Sequence, residues 1–235
     1  MFSGSTVLLT GVGGEGQVGE VVAAAFADLG ASLVLVDRTA AKVEARAAAL
    51  QKRGRVARAY ACDLTDAKGV AALADTVRAN HGPGLHALVH MAGGFAMSGP
   101  LAESALDVWD KQLAINLTTA MLATRAFLPA LRLARGSIVL FASQAALPGA
   151  TGAKMSAYAV AKTGVAALMR AIAAEERASG VRANAVAPAS IRTAANLSSM
   201  GPNEHYVERE EVASVVTFLC STAASAVTGE LIPLS

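Results

Sequence analysis

Short runs of β-branched and other apolar residues alternate along the chain with longer Ala-rich stretches whose apolar positions recur at helical spacing. This β-α pattern predicts strands at Ser5–Thr10, Ser32–Asp37, Arg55–Ala61, Leu85–Met91, Gly136–Ala142, Val181–Val186 and Glu230–Leu234. Helices are predicted from the first glycine-rich turn to Leu29, with Gly30 as a C-terminal cap, and over Ala40–Lys52, Asp66–Asn80, Met155–Ser179 and Glu208–Cys220. Between Ser104 and Leu133 the spacing fits one broken helix or two consecutive ones. Strands that are apolar on both faces and separated by helices imply an α/β fold, a doubly wound parallel sheet of about seven strands covered on both sides. No repeat, linker or low-complexity tract divides the 235 residues, so a single domain, 1–235, is expected.

Composition narrows the function classes. With 54% apolar and 16% charged residues the chain is no disordered polymer, and 20 basic against 18 acidic residues form no block of one sign. Nucleic acid and anionic lipid are therefore not expected partners. No basic residue precedes Arg38, so no secretory leader is expected. The longest charge-free stretches, such as residues 136–153, are broken by Gly and Pro, so no membrane-spanning helix is expected. Cys62 and Cys220 lie far apart with no metal-ligand spacing, which suggests free buried thiols, a reducing cytoplasmic setting and no metal site.

Candidate chemistry begins in the first turn, Thr10-Gly11-Val12-Gly13-Gly14-Glu15-Gly16-Gln17-Val18-Gly19. Glycines between a strand and a helix let a pyrophosphate approach backbone N–H groups at the positive helix end. The pattern alone is weak, because a glycine-dense stretch matches GxGxxG in two overlapping registers. Asp37, closing the second strand, adds an acceptor for adenosine ribose hydroxyls and completes a dinucleotide-binding fingerprint. A carboxylate there repels a 2′-phosphate by about 1 to 4 kcal/mol, depending on screening. NAD(H) is thus favoured, while the adjacent Arg38 keeps NADP(H) possible.

Tyr158 and Lys162 are four residues apart on a predicted helix, hence on one face and one turn apart. A nearby ammonium favours the phenolate, and moving a phenol from pKa 10 toward 7 takes about 4 kcal/mol, within reach of one ammonium in a partly desolvated site plus the positive charge of an oxidised nicotinamide. Such a tyrosine can exchange a proton with an alcohol or carbonyl oxygen.

With these motifs in order, the chain resembles the short-chain dehydrogenase/reductase family almost end to end. Cys62-Asp63-Leu64 is similar to the family's adenine-holding Asp-Leu pair, and His90-Met91-Ala92-Gly93 stands where it has Asn-Asn-Ala-Gly. Asn116, Ser143, Tyr158 and Lys162 follow, then Pro188-Ala189-Ser190-Ile191-Arg192-Thr193, similar to the segment that lies along nicotinamide and pyrophosphate. The resemblance implies a Rossmann-like fold and Tyr158 as acid/base. It also implies Lys162 on the nicotinamide ribose, Ser143 bonded to the reacting oxygen and Asn116 holding a water in a proton relay. Gly11, Gly13, Gly16, Gln17, Val18, Gly19, Asp37, Arg38, Asp63, Leu64, Ala92, Gly93, Pro188, Ile191 and Thr193 would line the cofactor. A homodimer or homotetramer is implied as well.

The glycine turn is two residues longer than the family's usual one, with Gln17 in place of a glycine. That spacing resembles the enoyl-acyl-carrier-protein reductases, although the seven-residue Tyr-Lys spacing of that branch is absent, position 155 being Met. Ala92-Gly93-Gly94-Phe95, Val108–Gln112 and Ser199–Pro202 resemble dihydropteridine reductase, an NADH enzyme. Residues 194–208 leave room only for a short substrate lid. The competing reading is a catalytically silent nucleotide sensor, which would need the glycine turn but not the proton-handling residues.

Overall fold

The computed structural model describes residues 1–202 and 205–235. Among the described residues seven strands form one sheet: β1 Thr6–Thr10, β2 Ser32–Asp37, β3 Ala57–Ala61, β4 Ala87–His90, β5 Ser137–Phe141, β6 Arg182–Pro188 and β7 Leu231–Leu234. All neighbours are parallel in the order β3-β2-β1-β4-β5-β6-β7, with Leu8 flanked by Val34 and Leu88. The order reverses between β1 and β4, and the crevice outside the C-terminal strand ends at such a switch point is where doubly wound folds bind ligands.

The helices are α1 Val18–Asp28, α2 Ala40–Lys52, α3 Ala67–His81, α4 Leu106–Leu113, α5 Thr119–Ala134, α6 Ser156–Glu175, α7 Ala194–Met200 and α8 Arg209–Cys220. One core layer joins Phe26 of α1, Val43 of α2 and Val216 of α8 to Leu9, Leu33 and Val139 on one sheet face. The other joins Val70 of α3, Phe127 of α5 and Met169 of α6 to Leu8, Leu88 and Ile138. Strands read as apolar on both faces because both faces are covered.

Element ends moved where packing and caps decide. The predicted third strand starts two residues late, at Ala57, and the long helix stops at Glu175, where residues 176–180 turn into β6. Gly30 closes α1 as expected, with Ala31 N–H returning to the Phe26 carbonyl at 3.0 Å. The break expected between Ser104 and Leu133 is a π-helical turn, Ala114–Thr118, that joins α4 to α5 without interrupting the rod. That continuity changes the expectation that no helix is long and apolar enough to span a bilayer. Residues Leu106–Ala134 now form one helix, which with Ser156–Glu175 is long and apolar enough to cross a membrane by length and composition alone. In this fold both pack on the sheet layer through Phe127, Leu131, Val165 and Met169. The segment expected to serve as a lid contains α7, anchored by Ala194 N–H to Gly16 O at 3.0 Å, and by the Ile191–Val207 bridge. Asn203 and Glu204 of that region lie outside the described residues.

Candidate active site

The C-terminal ends of β1, β2, β3 and β4 surround a cavity of about 330 Å³. Gly11, Asp37, Arg38, Asp63, Leu64, Ala92 and Gly93 from the sequence-predicted set line it. Gly13, Gly16, Gln17, Val18 and Gly19 make the adjoining turn into α1, while Pro188, Ile191 and Thr193 follow β6, Thr193 capping α7 by accepting Asn196 N–H at 3.1 Å. The N–H groups of Val18 and Gly19 lie in the first turn of α1, where a helix has no internal acceptors for them. Gly19 is there because of a close approach: a Cβ would meet the Gly11 carbonyl oxygen at 2.5 Å and Val12 Cα at 2.8 Å. The donor set, the two cavity carboxylates and the helix end fit a dinucleotide.

Sequence motifs missed part of the lining. Lys111, Ile115 and Thr119 reach the cavity from α4, the π turn and α5. Their four-residue spacing is the signal that could have found them, since it sets one helix face beside Asn116.

Behind the cavity a directional hydrogen-bond chain ties the strand ends together. Thr10 Oγ1 accepts the N–H groups of Met91 at 3.2 Å and Ala92 at 3.3 Å, and so has its own hydrogen for His90 Nδ1 at 3.0 Å. His90 Nε2 then carries the proton and donates to Thr119 Oγ1 at 3.1 Å, which donates to the Ile115 carbonyl at 2.8 Å. Burial, and next the charge of Lys162, push the His90 pKa down to about 3, so it is a neutral link. Asn116 is also fully engaged. Its amide donates to Gly94 O at 2.9 Å and Gln112 O at 3.0 Å, and its Oδ1 accepts Gly94 N–H at 3.1 Å. Its side chain clamps the β4 loop to the π turn.

Tyr158 and Lys162 stand one turn apart on α6, and Ser143 follows β5 at the cap of a short 3-10 turn. The Ser143 hydroxyl accepts Ala145 N–H at 3.3 Å and hydrogen-bonds Tyr158. Phe95 meets the Tyr158 ring edge to face, with centroids 5.0 Å apart. Without the nicotinamide charge, Lys162 by itself does not lower the phenol. Burial raises the Tyr158 pKa, and only the Ser143 bond offsets part of this. The reason is geometric: Lys162 Nζ sits 5.8 Å from the Tyr158 ring centroid and donates to the Phe141 carbonyl at 2.7 Å. Burial in turn lowers Lys162 to about 8.

This fold and constellation define a dinucleotide-dependent oxidoreductase. A family profile described as enoyl-(acyl carrier protein) reductase matches residues 11–234. The D-threitol dehydrogenase of Mycolicibacterium smegmatis is 34% identical over 97% of this chain and 90% of its own length. The meso-2,3-butanediol dehydrogenase of Serratia marcescens is 32% identical over 99% and 94%. Among solved structures, levodione reductase superposes with a TM-score of 0.92 at 29% identity, covering 100% of this chain and 97% of that one. An NAD⁺-bound xylitol dehydrogenase reaches 0.90 at 25% identity, covering 99% and 98%. The chain belongs to the short-chain dehydrogenase/reductase family. It is an oxidoreductase that moves a hydride between a nicotinamide cofactor and an alcohol or carbonyl compound. These relatives favour neither the dihydropteridine reductase reading nor the silent sensor.

Proposed function

We propose that the chain is an NAD(H)-preferring dehydrogenase of a small alcohol or ketone, with Tyr158 as the group that gives or takes the proton. The observation that carries this is the convergence of Tyr158, Ser143 and Lys162 beyond the strand ends that hold the dinucleotide cavity. When bound, the nicotinamide supplies or accepts the hydride. A phenol raised by burial stays protonated at neutral pH, which suits it to donate to a carbonyl oxygen as that oxygen gains charge. Ser143 orients that oxygen, Lys162 holds the ribose and supplies positive charge beneath it, and Asn116 fixes the loop above Lys162. Holding these groups in place before reaction is the main contribution of the protein.

NAD(H) over NADP(H) is supported by Asp37, which lines the cavity and whose Oδ1 and Oδ2 accept Thr39 and Gly13 N–H groups at 3.1 and 2.9 Å. Residues 194–208 serve as the substrate lid of a single-domain enzyme. Free Cys62 and Cys220 support a reducing, cytoplasmic setting, and the near balance of 20 basic against 18 acidic residues supports a chain without nucleic acid or anionic lipid as partner. A homodimer or homotetramer is supported by exposed Leu106, Met121, Leu133 and Val160 on α4, α5 and α6.

The test is Tyr158→Phe. Turnover of a responsive alcohol or ketone should fall about 10²- to 10⁴-fold, the range of general acid–base catalysis, while the NADH dissociation constant stays within about threefold. Undiminished turnover would remove Tyr158 from the mechanism.

A further inference from the structure

The lengthened glycine turn raises a physical problem that the NAD(H) reading alone does not solve. A longer, glycine-rich loop has more freedom to lose when it closes on a ligand, unless the protein already holds it. Arg46 of α2 does so. Its side chain keeps only 12% of its exposure, and its Nη1 donates to Glu20 Oε1 at 2.6 Å. Its Nε and Nη2 reach the Val12 carbonyl at 3.3 Å and the Gly14 carbonyl at 3.5 Å. The other oxygen of Glu20 accepts Gly16 N–H at 2.8 Å, and Arg209 of α8 stands 4.0 Å from it. One ion pair thus spans the loop from two helices, with the short charge-assisted bonds dominating and the longer ones setting direction.

The held loop lies flush on Asp37. Gly13 N–H donates to Asp37 Oδ2 at 2.9 Å, and a Cβ at Gly13 would stand 2.8 Å from Lys42 Cβ and 2.9 Å from Asp37 Cγ. Backbone therefore fills the space on that side of the carboxylate. Arg38 and Lys42, the cations a ribose phosphate would seek, line the same cavity. Loosening the loop would let that wall recede from them.

We propose that Arg46 is a positioning residue for the cofactor: by clamping the lengthened turn through Glu20, Val12 and Gly14 it seats Gly13 against Asp37, which raises dinucleotide affinity and the preference for a free 2′-hydroxyl over a 2′-phosphate. It rests on the NAD(H) reading above and adds the device that enforces it. An incidental surface ion pair would leave the choice between dinucleotides untouched.

Calorimetric titration of the full chain with NADH and with NADPH tests this, alongside melting temperatures. Arg46→Met should weaken NADH about tenfold, about 1.4 kcal/mol, and NADPH no more than about threefold, so that the preference narrows. Arg46→Lys, which keeps a cation for Glu20, should recover part of the preference. A folded Arg46→Met protein with both affinities unchanged, or both weakened alike, overturns the proposal. If Arg46→Met does not fold, Glu20→Gln, which keeps an acceptor for Gly16 but no charge for Arg46, is judged by the same narrowing. A parent protein that binds NADPH more tightly than NADH would refute the NAD(H) reading separately. The clamp would then stand only if Arg46→Met still shifted the NADPH-to-NADH ratio.

Discussion

His90 shows what one buried side chain does when every polar atom around it is paired. Its tautomer follows from donors and acceptors alone: Thr10 has two N–H groups to accept and one hydrogen to give, so Nδ1 must accept and Nε2 must donate. Protonation would turn Nδ1 into a second donor facing that hydroxyl, beside the Lys162 ammonium. The folded pKa of about 3 lies below the ordinary 6.5, so the unfolded chain binds the extra proton first. Stability from this link is complete above pH 6.5 and is lost as pH falls toward 3, with a slope of about 1.4 kcal/mol per pH unit. Acid denaturation followed by circular dichroism should be shallower by about one proton in His90→Asn than in the parent, and an unchanged slope would contradict the assignment. The opposite case is Tyr158, where spacing suggested an acidic phenol and the structure shows a raised one, because a helical pitch brings Lys162 near without aiming its hydrogens at the phenol oxygen.

At the level of elements, the α1 turn and the π turn do comparable work from opposite sides of the cavity. The first brings strand and helix so close that Gly19 has no room for a methyl group, and the atoms in the way are backbone, which cannot rotate aside. Gly19→Ala should therefore cost about 1 to 3 kcal/mol in chemical denaturation and weaken NADH binding more than tenfold. A variant with parental stability and affinity would show that α1 can slide away. The π turn places Asn116 inward and fully buried, with Ile115 and Thr119 toward the cavity. Its existence was legible only as a break in the pattern of residues 104–133. A π turn needs one extra residue in the ladder, and what stabilises it here is tertiary, the bonds from Asn116 to Gly94 and from His90 to Thr119.

For the whole molecule, the helical layer of α4, α5 and α6 is only partly used by the sheet. Leu106 keeps 80% and Leu133 70% of their exposure. Covering such surface is worth roughly 25 cal/mol per Å², so association is the expected outcome. Light scattering should give a mass of two or four times 23.7 kDa. A single-chain mass at micromolar concentration would count against the oligomer. Both helices long and apolar enough to cross a membrane, among the described residues, belong to this layer.

The alternation of strands and helices, the glycine turn with Asp37, and the order Asn116, Ser143, Tyr158, Lys162 were all determined by the chain as written. Periodicity and spacing act locally, and local rules fix them. What the tertiary structure alone decided is how the groups spend their hydrogen bonds: Lys162 on Phe141, Asn116 on Gly94, His90 between two threonines, and Arg46 across the lengthened turn. Those partners lie up to 80 residues apart, for Thr10 and His90, and no local pattern encodes them. They are chosen when the sheet closes and every buried donor must find an acceptor.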